Sequence, residues 1–389
     1  MEMHMNIILL KGASQYDALR LFADEVEKGL KSLSHRVTMI DMLTEEGLVD
    51  LNKAVSKPFD FILNFNGIFT EDPGFVDFIN TENVTVFSIF VDHPKYQTRR
   101  VTSAIKRHIQ TFVCASHLEA ADIINNTGNN LLYFLPHGGI KSDFKLKRSD
   151  FINRSNKLLY IATCYEDPKK APWESTNNRQ QALLSKVLYD GLMKGFSYEE
   201  SFRNALKSVK LLPQNEQFRK LYESMFDVYT YFRAKNRFKV IKTLLDNGIE
   251  IDCYGGGNWK EMFGRNKNFS YLGALSMEET LQKMQEYKFT LNDVCFFPYG
   301  SHERTFNAML NGSVIVNHQS HYYKEIFNGD EGVFFDSNNL DDAIMRLKDL
   351  MQNQDKAFSV ASKGYDVAQN HTWKERARQI IDIYELYKD

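Results

Sequence analysis

The sequence predicts an α/β protein of two consecutive doubly wound parallel-sheet domains, the second carrying a helical insertion. Three observations point there. Short apolar runs recur along the chain, most closed by a glycine or a polar turn and followed by apolar residues at helical spacing. A charged stretch poor in large apolar residues, 146–156, divides two such series, and a long segment rich in Leu, Tyr, Phe and Lys at helical spacings, 177–237, interrupts the second. The 389 residues, 43% hydrophobic and 25% charged, are enough to bury two cores.

The first series opens with "NIILLKG", a continuous apolar run ending at Gly12, and "YDALRLFADEVEKGLKSL" follows as an amphipathic helix. "RVTMIDM", "FDFILNFNG", "VTVFSIFVD" and "TFVCAS" are the next buried strands, each separated by enough chain for a helix or a long loop. "NLLYFLPHGGIKSDF" adds a strand and a Pro-His-Gly-Gly turn. Strand, helix, strand units in this order make a parallel sheet covered on both faces. The first domain is therefore placed at 1–145 and the linker at 146–156. The second domain spans 157–370 and starts with "KLLYIATCYED". After the insertion it resumes with "RFKVIKTLLDNG", "IEIDCYGGG", "FSYLGAL" and "MEETLQKMQEYKFTLND". Residues 371–389 form a last helix, which is expected to pack back on the first domain.

The net charge of −2 gives no bulk basic field, which argues against nucleic acid as a partner. The four cysteines are scattered without zinc-type spacing and read as buried, reduced thiols. The apolar run near the N-terminus is too short to span a bilayer, so a cytoplasmic protein is expected. Lysines and arginines of the insertion can lie on the inner face of a membrane or form a solvated helix face. No metal-ligand cluster, nucleophile elbow or P-loop appears.

In an open parallel sheet ligands bind beyond the carboxyl ends of the strands, so the loops there hold the candidates. Gly12 ends the first strand and either brings backbone close to a ligand or only turns the chain. Asp92 and His93 follow the strand "VTVFSIF", where a carboxylate and an imidazole suit proton transfer from a substrate hydroxyl; the alternative is a capped turn. His137 and Gly138 allow close backbone approach on the acceptor side, though a plain turn explains them as well. Tyr254, Gly255 and Gly256 follow another strand, and the glycines leave backbone N–H groups uncovered for a phosphate or a flat base. Lys169 or Lys170 can add a cation from the loop after "KLLYIATCYED" or stand as a solvated lysine.

The most specific stretch is "PYGSHERTFNAMLNGSVIVN". Ser301 is positioned to cap a helix over about 303–310, with Phe306, Met309 and Leu310 on its buried face. Tyr299, Gly300, Ser301, His302, Glu303, Arg304 and Asn307 line its start. A helix N-terminus carries about half a positive charge. A cation in its first turn, Arg304, therefore calls for an anion: either Glu303 or another carboxylate pairs with it at the surface, or the uncovered N–H groups and the forked guanidinium hold a ligand phosphate.

This stretch, the downstream "YYKEIFNGDEGVFF" and the final "HTWKERARQII" resemble, in order and spacing, the C-terminal half of GT-B glycosyltransferases of group 1, in particular the bacterial CgeB-like group. The resemblance covers about residues 237–387; over the first half it rests on topology, the "LPHGGI" turn and the "FVDHP" position. It implies two Rossmann-like domains facing a cleft, a nucleotide-sugar donor held mainly by the second domain and a glycan, lipid-linked or protein acceptor held mainly by the first. It further implies a retaining hexosyl transfer with a UDP- or GDP-sugar, no metal and no other cofactor, in polysaccharide or glycoconjugate synthesis. Tyr299 and Asn307 stand where many such enzymes carry two glutamates, and Gly300 matches their glycine near the donor phosphates. Two other readings stay open: a non-catalytic nucleotide-sugar or glycan-binding protein on the same fold, and a nucleotide-sugar epimerase.

Overall fold

The computed structural model describes residues 4–125, 131–164 and 170–388, which divide into two compact units, 1–140 with 370–389 and 141–369.

In the first unit the chain alternates β1 (Asn6–Lys11), α1 (Ala18–Ser32), β2 (Arg36–Asp41), α2 (Gly47–Val55), β3 (Phe61–Phe65), α3 (Pro73–Thr81), β4 (Thr85–Phe90), α4 (Thr98–Val101), β5 (His108–Phe112), α5 (Ser116–Ile124) and β6 (Leu132–Phe134). All pairings are parallel, in the order β2-β1-β3-β4-β5-β6. The reversal of direction falls between β1 and β3. Strands β3, β4 and β5 are buried along their whole length, which is why they read as unbroken apolar runs, whereas the edge strand β2 alternates with exposure. Local signals set the helix starts: Asp72 accepts from the Phe75 N–H and Pro73 takes the first position of α3.

The second unit runs through α6 (Arg148–Ile152), β7 (Ser155–Ile161), α7 (Arg179–Met193), α8 (Tyr198–Ser208), α9 (Asn215–Ser224), α10 (Phe226–Asp246), β8 (Ile251–Tyr254), α11 (Trp259–Phe263), β9 (Phe269–Tyr271) and α12 (Met277–Glu286). It continues with β10 (Tyr287–Asn292), α13 (Glu303–Leu310), β11 (Val314–His318), α14 (His321–Ile326), β12 (Gly332–Phe335), α15 (Asp341–Gln352) and α16 (Gln354–Ala368). Its parallel sheet has the order β12-β11-β10-β7-β8-β9, so the switch point lies between β7 and β10. Four helices, α7 to α10, form the insertion between β7 and β8. Ser197 and Glu200 close a reciprocal cap on α8, and Ser276 and Glu279 do the same on α12. Before β7, Phe151 is buried and Arg154 donates to the carbonyls of Asn311 and Gly312, at 2.9 and 3.0 Å, which anchors the chain just ahead of the sheet. Burial lowers the Arg154 pKa to about 10.

The last helix, α17 (Trp373–Lys388), belongs to the first unit and packs along α1. Trp373 fills the space between Phe22 and Phe65, with ring centroids 4.9 and 5.4 Å away. Tyr384 lies 4.4 Å from the Phe61 ring and its hydroxyl donates to the Asp60 carbonyl.

Candidate functional site

The switch point of the second unit concentrates charge. β10 ends in Asn292, and Asp293 follows, both buried. Arg237, on the inward face of α10, grips the Asp293 carboxylate through Nε at 2.7 Å and Nη2 at 3.2 Å, and its Nη1 donates to the Thr163 carbonyl beyond β7 at 2.6 Å. Burial alone raises the Asp293 pKa, but the Arg237 guanidinium, with Arg304 adding to it, outweighs burial and holds the carboxyl below its ordinary value. Two guanidinium groups therefore act on one buried carboxylate. Arg237 and Arg304 stand against the Asp293 carboxylate at the carboxyl ends of β7 and β10, with the Glu303 carboxylate beside Arg304 in the first turn of α13.

Arg304 reaches this cluster from the first turn of α13, where Nη1 donates to Asn292 Oδ1 at 2.8 Å. The rest of Asn292 is fixed by Thr305 and Asn317: its Nδ2 donates to Thr305 Oγ1 at 3.0 Å and to Asn317 Oδ1 at 2.7 Å. Tyr323 extends the network, with its hydroxyl 2.8 Å from Thr305 Oγ1 and accepting from the His302 N–H at 2.8 Å. A loop held this firmly presents the helix start in one geometry.

α13 spans Glu303–Leu310, but its cap is His302 and not Ser301. His302 has the extended backbone of a cap residue, φ −127° and ψ 140°, and its Nδ1 accepts from the Arg304 N–H at 3.3 Å. The same nitrogen lies 2.8 Å from the Glu303 carboxylate, an ion pair when the ring is protonated. Ser301 is buried, and the Gly300 carbonyl accepts from Ser320 Oγ at 2.9 Å. Tyr299 stacks on His321, with centroids 4.6 Å apart, and its hydroxyl donates to Glu200 Oε2 of α8 at 2.9 Å. Asn307 is buried on the inner face of α13.

The glycine loop after β8 has a packing reason of its own. A Cβ on Gly255 would lie 2.0 Å from the Ala162 carbonyl oxygen, and φ there is +130°. The backbone of 254–256 continues the pairing with the chain after β7: Ala162 N–H donates to Tyr254 O and Cys164 N–H to Gly256 O. Tyr271 caps the loop, its hydroxyl donating to Gly255 O at 2.9 Å. Lys169 lies outside the described residues.

In the first unit, Asp92 is exposed just after β4, and Asn66 Nδ2 approaches its Oδ2 at 3.3 Å while Asn66 Oδ1 accepts from the Val91 N–H. His93 is buried; its Nδ1 accepts from the Lys95 N–H at 3.2 Å, so the neutral ring carries its proton on Nε2, and its edge meets the His117 ring at 4.8 Å. Gly12 follows β1 and its carbonyl accepts from Arg20 at 3.3 Å. His137 is buried near Trp373, and its carbonyl accepts from Arg376 Nε. A Cβ on Gly138 would lie 2.6 Å from the Trp373 nitrogen, so this turn is shaped for α17. Gly12, Asp92 and His93 thus sit at strand ends, whereas His137 and Gly138 are engaged by the C-terminal segment.

Arg237, Asp293 and Glu200 were not evident from the sequence. Asp293 had a signal, an acid at the end of an apolar strand. Arg237 had a weaker one, a cation in register with Val240, Ile241 and Leu244 on the buried face of α10.

Comparison with known proteins bears on this half of the chain first. Residues 233–382 match a protein family described as glycosyl transferase-like. No curated protein sequence matches. Among solved structures, Anabaena Alr3699/HepE in complex with UDP and glucose superposes with a TM-score of 0.53 at 12% identity, over 97% of this chain and 99% of that one. An alpha-glucosyltransferase in complex with UDP and a 13-mer DNA containing a HMU base gives 0.60 at 12% identity, over 97% and 99%. These likenesses show the fold, the pair of parallel-sheet domains of the GT-B class.

Proposed function

We propose that the chain is a glycosyltransferase that takes a sugar from a nucleoside diphosphate donor, with UDP as the carrier, and passes it to an acceptor hydroxyl. The observation that carries this reading is the start of α13. The Arg304 guanidinium reaches from the first turn of α13 to the switch point, where it donates to Asn292 Oδ1 beside the Asp293 carboxylate that Arg237 holds. In the reaction the bond between the sugar's anomeric carbon and the diphosphate oxygen breaks, and a bond from that carbon to the acceptor oxygen forms. Negative charge builds on the leaving phosphate, where a fixed guanidinium and helix N-terminus stabilise it without a bound metal. The family match over 233–382 supports donor chemistry in this unit, and UDP in the structures of HepE and the alpha-glucosyltransferase supports that carrier. Tyr254, Gly255 and Gly256 are assigned to the base and ribose. Asp92 is assigned to the proton leaving the acceptor hydroxyl, with His93 fixing the loop that carries it. The acceptor class we propose is a glycan or glycoconjugate.

The test is a thermal-shift screen with UDP, GDP, CDP, dTDP and ADP, followed by calorimetry and turnover. UDP raises the melting temperature; at one hundred times its dissociation constant the gain is about 2.7 kcal/mol. Loss of a charged hydrogen-bond partner costs about 1.5–3 kcal/mol, so Arg304→Ala weakens UDP roughly 10- to 150-fold. Unchanged UDP affinity in Arg304→Ala removes α13 from the site. Binding without turnover favours a second reading, a nucleotide-sugar-binding protein; its motive is Tyr299, whose hydroxyl is committed to Glu200.

A further inference from the structure

A cavity lies wholly within the second unit, between the insertion and the loops after β10, β11 and β12, with a volume of about 300 Å³. Its walls come from the end of α7 and from α10 on one side, and from 318–321 and 334–338 on the other. Asn338 Nδ2 donates to the Met193 carbonyl and ties the two walls together. None of the residues assigned to the UDP site above lines it.

The floor of this cavity is polar and uncharged. Asn236, 1% exposed, lines it with an amide whose oxygen and nitrogen both lack a hydrogen-bond partner among the described residues. Ser337, 4% exposed, lines it with a hydroxyl in the same condition. His318 stays neutral there, since burial lowers its pKa to about 4. Phe232 and Phe335 supply apolar surface beside these groups, while the charged lining residues Lys194, Lys324 and Asp336 are exposed. Buried amides and hydroxyls are nearly always satisfied in native proteins, by protein, ordered water or ligand, so two such groups on one cavity call for a partner that both donates and accepts.

We propose that this cavity binds one pyranose ring of a saccharide, at a site separate from the UDP site. A sugar hydroxyl donates and accepts at once, so a pair of neighbouring hydroxyls meets both the amide of Asn236 and the hydroxyl of Ser337. The C–H face of the ring covers the phenylalanine surface. A phosphate would meet buried lining residues without a cation and the Asp336 carboxylate among the exposed ones, and the volume is at the lower end of small-molecule pockets, about 300–1,000 Å³, which suits one ring and excludes a folded peptide. The proposal rests on the glycosyltransferase reading for its substrate class, because such an enzyme must hold a glycan as well as a donor. The insertion then has a task, to build a saccharide subsite on a sheet that otherwise serves the nucleotide.

The experiment uses the full chain and two probes, UDP by calorimetry and a panel of glucose, galactose, mannose and N-acetylglucosamine by saturation-transfer NMR. At least one monosaccharide binds the wild type, and Asn236→Leu weakens it at least about 10-fold, the loss expected when a buried polar partner is removed, while UDP affinity stays unchanged. Ser337→Ala carries the same expectation should Asn236→Leu fail to fold. Absence of saccharide binding to the wild type, or equal binding by the variants, overturns the cavity's assignment while UDP binding leaves the donor reading standing. Saccharide binding that depends on Asn236 without any UDP binding sinks the donor reading and leaves the cavity's assignment in place.

Discussion

Asp293→Asn removes the negative member of a buried ion pair and leaves its partner where it was. Arg237 and Asp293 are joined at 2.7 and 3.2 Å, with side chains 9% and 1% exposed, so water cannot rescue the guanidinium. Its Nη1 donates to the Thr163 carbonyl, which carries no charge. Breaking one side of a buried pair costs about 3–5 kcal/mol, and at about 2–4 °C per kcal/mol for a domain of this size the melting temperature falls by roughly 6–20 °C. Urea denaturation is the assay, followed by tryptophan fluorescence in a Trp373→Phe background so that Trp173 and Trp259 report the second unit. The pair Arg237→Met with Asp293→Leu recovers part of the loss, because no charge is then stranded. A loss below about 1 kcal/mol in Asp293→Asn, or a double variant no more stable than the single one, refutes a stranded-charge account.

Asp41 pairs with Arg20 at 2.5 Å, and that hydrogen bond lowers its pKa to about 2 in spite of partial burial. The folded value lies below the unfolded one, so the stabilisation is present above about pH 4 and is lost as pH falls toward 2. With both side chains part-exposed it amounts to about 1–2 kcal/mol, and pH-dependent unfolding of Asp41→Asn should converge with wild type at the acid end. Persisting separation there would contradict the pairing. His108 accepts at Nδ1 from Gln110 and donates from Nε2 to Ser88, and burial lowers its pKa to about 3. Its contribution is full above about pH 6.5 and is lost as pH falls toward 3, with a limiting slope of about 1.4 kcal/mol per pH unit. A stability profile of His108→Leu parallel to wild type between pH 6 and 4 would rule this out. Gly255→Ala forces a Cβ to 2.0 Å from the Ala162 oxygen at φ +130°, so at least about 2–3 kcal/mol is lost; a neutral result by calorimetry would mean the loop relaxes freely.

The strands and the insertion were legible for a physical reason. Strands buried on both faces, such as β3 and β4, must be apolar at every position, and helices packed on one face must repeat their apolar residues near every third or fourth position. The start of α13 was legible too, because a glycine turn, a polar run and an apolar stripe fall in that order. What failed was the detail that depends on partners far along the chain. Arg237 reads as a solvated helix cation until Asp293, 56 residues on, is folded against it. Tyr299 gives no hint of Glu200, 99 residues before it. Ser301 has the better cap propensity, yet the loop places His302 in the extended conformation at the helix edge, and geometry decided between them. The glycines at 138 and 255 were visible, but their neighbours Trp373 and Ala162 were not.

The electrostatics of Arg304 lead one step further. If Asp293 served Arg304 alone, the cluster would be neutral and no ligand would be called for. Arg237 holds that carboxylate with two hydrogen bonds, and the nearest acid on α13, Glu303, lies 2.8 Å from His302. Arg304, whose guanidinium donates to the neutral Asn292 amide, is then the cation that a bound anion would meet, and the sign of the effect is testable with two variants that change charge in opposite directions. Arg304→Ala lowers the local charge by one and weakens a diphosphate. Asp293→Asn raises it by one and, under conditions where it remains folded, tightens UDP while leaving uridine unaffected. Should both variants weaken UDP and uridine alike, the residues hold the shape of the loop and their charge plays no part in recognition. Opposite shifts confined to the diphosphate place the phosphate between the helix start and the paired arginines.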